Sequence, residues 1–266
     1  MAILRQGLIL CLSLVGSVSF AQAQQIQSRP EASPQVLPSA AGQLLSLANE
    51  ERRAQGAPLL QWDPALAAAA LNHCRRMAVE GEIAHRYGGE LSLTERAGQA
   101  GAHFSLIEEN VAVGSYPALI HQSWMHSPDH RTNLLNPQVD HVGIATVATR
   151  GVIYAVADYS RAVPLLSQTQ IEAAIAGLLR VSGVSVLRDP ATARAACALD
   201  HGLPGDPPGM QAQFVMRWQG AELTHLPPDL VSRLASGRYR QAAVGNCAAK
   251  SVEGSFTAYR VAVLLY

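Results

Sequence analysis

Apolar residues recur at two different periods along this chain, and the change of period divides it. From Gln43 to Gln55, Leu44, Leu47 and Ala48 stand at helical spacing, and Gly56 with Pro58 supplies a stop. Asp63-Pro64 reads as the N-cap and first residue of a second helix that runs to Glu80, with Gly81 just past its end. Ser92-Leu93-Thr94-Glu95 has the spacing of a capping box and predicts a short third helix, and Pro117 to Met125 predicts a fourth. Beyond His141 the period falls to two. Val142 to Val147, a turn at Arg150-Gly151, and Val152 to Tyr159 predict a hairpin of β-branched and aromatic residues. Helices followed by a hairpin imply a layered α/β domain ending near Arg161.

After Pro164 the pattern changes character. It predicts a helix over Gln168 to Val181, a Pro/Gly loop over Gly202 to Gly209, a strand over Ala212 to Trp218 and a helix over Pro228 to Ala235. Two more strands, Tyr239 to Cys247 and Phe256 to Tyr266, complete a second, smaller α+β domain over residues 165–266. No internal repeat is visible in the sequence.

The first residues carry Arg5, the apolar run Leu8 to Val15, and Ala21-Gln22-Ala23, the order of a cleavable signal peptide over residues 1–23. That run is far shorter than the roughly 20 apolar residues a membrane-spanning helix needs, and nothing later approaches that length. The expectation is a secreted protein, periplasmic or extracellular, with no transmembrane segment and beginning near Gln24. Residues 24–38, rich in Gln, Pro and Ser without an apolar period, read as a disordered linker.

Charge changes the picture by exclusion. Lys+Arg and Asp+Glu both number 20, so no electrostatic footprint for nucleic acid is present. Lys250 is the only lysine, which leaves lysine-dependent covalent chemistry a single candidate. Loss of the leader leaves Cys74, Cys197 and Cys247. In an oxidising compartment two are expected to pair, and Cys197 and Cys247 fall in the same half of the chain. Closing that loop restricts the unfolded chain by about 4 kcal/mol. Cys74 shares a helical stripe with Leu66, Ala70 and Met77 and reads as a buried small apolar residue.

Three polar points stand out. His85 follows the second helix at the start of a Gly-rich loop, Glu109 precedes the apolar Val111-Ala112-Val113, and His130 sits where Ser127-Pro128 starts a new helical turn. A carboxylate carried inward at Glu109 needs a partner. Two imidazoles and a carboxylate suit either Zn²⁺ with an open fourth position or an acid/base set without metal. No H-E-x-x-H, nucleophile elbow or phosphate-binding loop is present.

Several strings in the first half resemble one family. They are Leu47-Ala48-Asn49-Glu50-Glu51-Arg52, Trp62-Asp63, Met77 ahead of His85, and Glu109-Asn110-Val111-Ala112. Trp124-x-x-Ser127-Pro128-x-His130-Arg131-x-Asn133-Leu134-Leu135-x-Pro137 follows, closing on His141-Val142-Gly143. Together they resemble the bacterial secreted branch of the CAP superfamily (SCP/TAPS; CRISP, antigen 5, PR-1) over about Ser39 to Arg161. The resemblance implies an α-β-α sandwich, an α/β (α+β) fold here followed by the smaller C-terminal domain. It also implies a cleft built from His85, Glu109, Asn110, Ser127 and His130. His85, Glu109 and His130 fall on three positions of a tetrad able to bind zinc or another divalent cation, and are its candidate catalytic residues. Ser127 stands where many eukaryotic members have glutamate, which removes an anionic ligand. Glu108 stands where glycine is commoner. Arg131 and Asn133 are expected to hydrogen-bond backbone around the cleft, and Trp124 and Tyr159 to lie in the core.

Two functions compete for this cleft, beside a third reading in which residues 165–266 carry the function and the CAP domain is only a scaffold. The first is a non-enzymatic module that engages a lipid, glycan or peptide. The alternative is a hydrolase of an envelope component or peptide, in which water is activated by a metal or by Glu109 with His85 and His130 as acid/base partners.

Overall fold

The computed structural model describes residues 33–203, 211–250 and 256–266. The proposed leader, most of the linker stretch, and most of the Gly202 to Gly209 loop lie outside them.

Residues 33–163 form one sheet with helices on both faces. In chain order the elements are β1 (Gln35–Val36), α1 (Pro38–Ala54), β2 (Gln61–Trp62), α2 (Pro64–Glu80), α3 (Leu93–Gln99), β3 (Phe104–Gly114), α4 (Pro117–His126), α5 (Pro128–Leu135), β4 (His141–Thr149) and β5 (Val152–Ala162). The strand order is β1-β4-β5-β3, with β2 parallel to β4 at its other end. Strand alternation sorts the side chains by face. Val142, Ile144, Ala155, Ala157 and Tyr159 meet Leu44, Ala48, Ile120, Trp124 and Leu134 of α1, α4 and α5. Ala145, Val147, Tyr154 and Val156 meet Ala70, Cys74 and Met77 of α2.

The local signals act as their chemistry requires. Asp63 Oδ1 accepts from the Ala65 and Leu66 amides, and Ser92 with Glu95 forms a complete capping box. Arg52, fully buried, donates to the carbonyls of Pro58, Leu134, Asn136 and Val139 and so ties α1 to the end of α5. A Cβ placed on Gly143 would lie 2.0 Å from the Ala67 amide nitrogen. Glycine there lets α2 lie directly on the sheet, beside the position where β3 and β5 carry their polar residues.

In this first arrangement β1, β2 and β3 were not expected, and α1 starts earlier than expected. β1 falls inside the stretch read as linker, and its pairing with Val147 and Ala148 orders residues just before α1. α1 begins at Pro38 rather than Gln43, because Pro38 occupies a first-turn position where its missing N–H costs nothing. β3 escapes the period-two pattern because Glu108, Glu109 and Asn110 interrupt it.

Residues 164–266 form a second layered arrangement: α6 (Gln168–Val181), β6 (Ser185–Val186), α7 (Ala191–Ala198), β7 (Phe214–Gly220), α8 (Pro228–Ala235), β8 (Gln241–Cys247) and β9 (Tyr259–Leu265), with strand order β6-β8-β9-β7. Ile171, Ile175, Leu179 and Leu230 of α6 and α8 pack on Val244, Val261 and Val263. Ala193, Ala196 and Cys197 of α7 cover the other face at Ala243, Ala262 and Leu264. Cys197 and Cys247 are joined by a disulfide. Phe104 of β3 meets Phe256 edge-on at 5.4 Å, and the Val163 amide donates to the His103 carbonyl.

Candidate functional site

Glu109 lies on β3 directly opposite Asp158 of β5, and Asp158 in turn faces Gly143 of β4. All three positions therefore point to the α2 side, and the carboxyl groups are carried beneath the helix that Gly143 admits. The Glu109 side chain is 3% exposed. Its Oε1 accepts from His85 Nδ1 at 2.8 Å, and its Oε2 is ion-paired with Arg96 Nη2 of α3. His73 of α2, fully buried, brings Nε2 to 4.0 Å from the same carboxylate.

Around this carboxylate the bonds continue outward. Nδ1 of His73 lies 2.7 Å from Glu90 Oε1, and its Nε2 lies 2.8 Å from the Ala84 carbonyl oxygen. Arg96 also donates to the His85 carbonyl at 3.1 Å, so one guanidinium fixes both the carboxylate and the backbone of the loop that carries its imidazole partner. Burial pulls the Glu90 carboxyl upward, but the Tyr87 amide and His73 outweigh it and hold it below its ordinary value.

The two cleft histidines are pushed in opposite directions. The hydrogen bond to Glu109 raises the pKa of His85 above the usual histidine value, against an opposing pull from burial. Burial lowers that of His130, and the neighbouring His85 adds to the effect. Their rings stand 6.3 Å apart, centre to centre. Because Nδ1 of His85 is committed to Glu109, its Nε2 is the nitrogen left for a ligand. The His85 side chain is 60% exposed, so the pair opens to solvent.

His130 is placed by α5. Asn110, on the opposite face of β3 from Glu109, donates to the His130 carbonyl at 2.8 Å, and Asn133 donates to the Glu109 carbonyl and to Asn110 Oδ1. Asn133 thus holds backbone around the cleft, as expected. Among the described residues no bond of the Arg131 side chain bears on the cleft. Ser127, half-buried, starts α5 without a side-chain cap bond. Trp124 and Tyr159 lie in the core, and Cys74 is buried with its thiol pushed up to about 12 by desolvation. Glu108 faces the other way and accepts from Asn136 at 2.9 Å, and nothing in the structure explains its presence over a smaller residue.

His85 and His130 are the imidazoles that would hold a divalent cation, with Glu109 behind His85 as the carboxylate that orients it. Among the described residues no group of three His, Cys, Asp or Glu side chains is arranged to hold a metal ion. Both oxygens of Glu109 are already taken, and the Ser127 position supplies no charge. A third protein ligand would require Glu109 to leave Arg96 or His85.

Asp158, His73, Glu90 and Arg96 complete the cluster, and the sequence reading missed all four. Asp158 is fully buried, and neither of its oxygens has a hydrogen-bond partner among the described residues. Desolvation, then the charge of Glu109, raises its pKa well above the ordinary carboxylate value. Two signals were present: Asp158 is the one charge inside the apolar Val152 to Tyr159 strand, and His73 lies on the apolar stripe of α2.

Residues 45–159, which hold every member of this cluster, match the model of the Cysteine-rich secretory protein family, CAP. The chain carries a CAP domain. Over 113 residues it is 29% identical to the uncharacterized protein YkwD of Bacillus subtilis (strain 168), covering 41% of this chain and 43% of that protein. It is 32% identical over 107 residues to the uncharacterized membrane protein YlbC of the same organism, covering 38% and 30%. Among solved structures it is similar to an extracellular protein containing a SCP domain from Bacillus anthracis str. Ames, with 28% identity, a TM-score of 0.43, and coverage of 47% of this chain and 41% of that one. The chain spans less than half the length of these relatives.

Proposed function

We propose that this CAP protein is an exported ligand-binding module in which His85 and His130 grip a polar group of an extracellular or envelope molecule. One observation carries the reading. Glu109 is saturated by His85 and Arg96, so what the site offers to solvent is two imidazole edges backed by a buried ionic cluster. His85, with its pKa raised by Glu109, beside His130, with its pKa lowered by burial, suits a carboxylate, phosphate or hydroxyl group carried by a lipid, glycan or peptide. A divalent cation such as Zn²⁺ would use the same two nitrogens. Export is supported by the leader-like order of Arg5, Leu8 to Val15 and Ala21-Gln22-Ala23, and by the Cys197–Cys247 disulfide. No described helix is long and apolar enough to cross a membrane.

A second reading, hydrolysis, is favoured by the His85–Glu109 pair itself. A carboxylate that fixes Nδ1 leaves Nε2 able to take a proton from water. Calorimetric titration of soluble envelope glycans, short peptides and Zn²⁺ into the wild type and the His85→Ala/His130→Ala variant, at about pH 6 and pH 8, separates the two. The binding reading expects heat from the wild type, none from the variant, and glycans and peptides recovered intact by mass spectrometry. Cleaved products lost in the variant would replace it with the hydrolytic one. Undiminished heat in the variant would remove both.

A further inference from the structure

The second sheet repeats the plan of the first. Leaving aside β1, the order β2-β4-β5-β3 becomes β6-β8-β9-β7, with a parallel first pair and antiparallel pairs thereafter. α1 and α6 precede the short parallel strands, α2 and α7 follow them, and α8 takes the place of α4 and α5. The contacts repeat as well. A Cβ on Gly245 of β8 would stand 2.1 Å from the Arg194 nitrogen of α7, as one on Gly143 would meet α2.

That correspondence fixes what stands in place of the His/Glu cluster. Gly245 faces Ala262, and Ala262 faces Arg217, so Arg217 occupies the place of Glu109 and Ala262 that of Asp158. Arg217 turns to the Ala196 and Gly202 carbonyls and closes the end of α7. The first cleft's chemistry is therefore not duplicated.

The β7 edge of the second sheet is nevertheless hollow. A groove of about 720 Å³ runs between edge strand β7 and α8, lined by Phe214, Met216, Asp229, Arg233, Arg238 and Tyr239. The Arg233 guanidinium lies 4.4 Å from the centre of the Phe214 ring, and that of Arg238 lies 5.9 Å from Tyr239. Stacking of this kind holds a guanidinium flat while leaving its N–H edge free for a carboxylate. Neither side chain has a hydrogen bond or ion pair among the described residues, where Asp229 is the single acid on the groove. Among those residues β7 pairs only with β9, so its other backbone edge is open to a further strand.

We propose that this groove binds an extended acidic peptide, which adds to the edge of β7 and lays alternate carboxylates against Arg233 and Arg238. Strand addition supplies main-chain hydrogen bonds, and the period of two sends every second side chain toward the arginines. The site is independent of His85 and His130.

The test uses the full exported chain and a fluorescein-labelled peptide of alternating Glu and Thr, about eight residues long, followed by anisotropy at low salt. Saturable binding is expected, with Arg233→Gln and Arg238→Gln each weakening it about tenfold or more. Unchanged melting curves would show that the exposed substitutions leave the fold intact. A peptide of alternating Glu and Pro carries the same charge but lacks every second N–H, and is expected to bind about tenfold or more weaker. Absence of binding by the Glu-Thr peptide, or indifference to both substitutions, overturns the proposal. Equal binding of the Glu-Pro peptide also overturns it, in favour of simple attraction of anions.

Discussion

Replacing Arg96 with methionine tests the ionic framework under the cleft. Methionine keeps the stem that α3 packs and removes the guanidinium that serves Glu109, the His85 carbonyl and, at 3.8 Å, Glu90. Glu109 is then left as a buried carboxylate with one imidazole partner and with Asp158 facing it. Breaking a buried ion pair from one side costs about 3–5 kcal/mol. At about 2–4 °C per kcal/mol for a chain of this size, the melting temperature should fall by about 6–20 °C. A second consequence is local. The positive charge of Arg96 holds the His85 pKa down, so its removal should raise that value further. Differential scanning calorimetry reads the first effect and an NMR titration of the His85 ring reads the second. A loss below about 1 kcal/mol, the level of a surface pair, together with an unmoved His85, would refute the reasoning.

Gly143→Ala should be among the most damaging single-methyl additions. Its Cβ must clear the Ala67 nitrogen from 2.0 Å, which forces α2 off the sheet at a cost of about 1–3 kcal/mol or more, read as a fall in the denaturation midpoint. Cys197→Ala with Cys247→Ala should cost about 4 kcal/mol for a loop of 50 residues while leaving the histidine signals of the cleft in place. Displaced histidine signals would show that the second sheet supports the first site. The linkage of the histidines to stability runs in opposite directions. His85, raised on folding, adds stability that is complete below its unfolded pKa and lost as pH climbs through the folded one. His130, lowered on folding, adds stability that is complete above its unfolded pKa and lost as pH drops through the folded one. The stability lost in His85→Gln should therefore be greatest at the acid end of that range, and the stability lost in His130→Gln least there, read from denaturation midpoints.

Much of this fold was legible because its signals are local. Asp63-Pro64, the Ser92 and Glu95 pair, and the Val142 to Tyr159 hairpin each state an element through capping or alternation. β2 and β6 have two residues apiece, too few for any period to register. α7 is an alanine-rich helix of 8 residues whose apolar stripe hardly differs from its other faces. Those omissions hid the repeated plan, which resides in strand order rather than in shared residues. The candidate site was legible as separate points. His85, Glu109 and His130 stood out through their flanking strings. The residues that charge and orient them did not, because Arg96 and Asp158 acquire their roles through cross-strand register and burial. Glu109 itself obscured β3, since a polar residue turned inward for chemistry breaks the alternation that announces a strand.

The central claim is that Glu109, held from below, fixes His85 opposite His130. Its most direct test is a ¹⁵N NMR pH titration of both rings in the wild type and in Glu109→Gln. The account predicts that His85 titrates above about 6.5, the ordinary histidine value, and His130 below it. It further predicts that His85 alone drops sharply in the variant, and that wild-type His85 keeps its proton on Nδ1 when neutral. Ordinary, matching titrations for the two rings, with no response of His85 to the loss of the carboxylate, would contradict it.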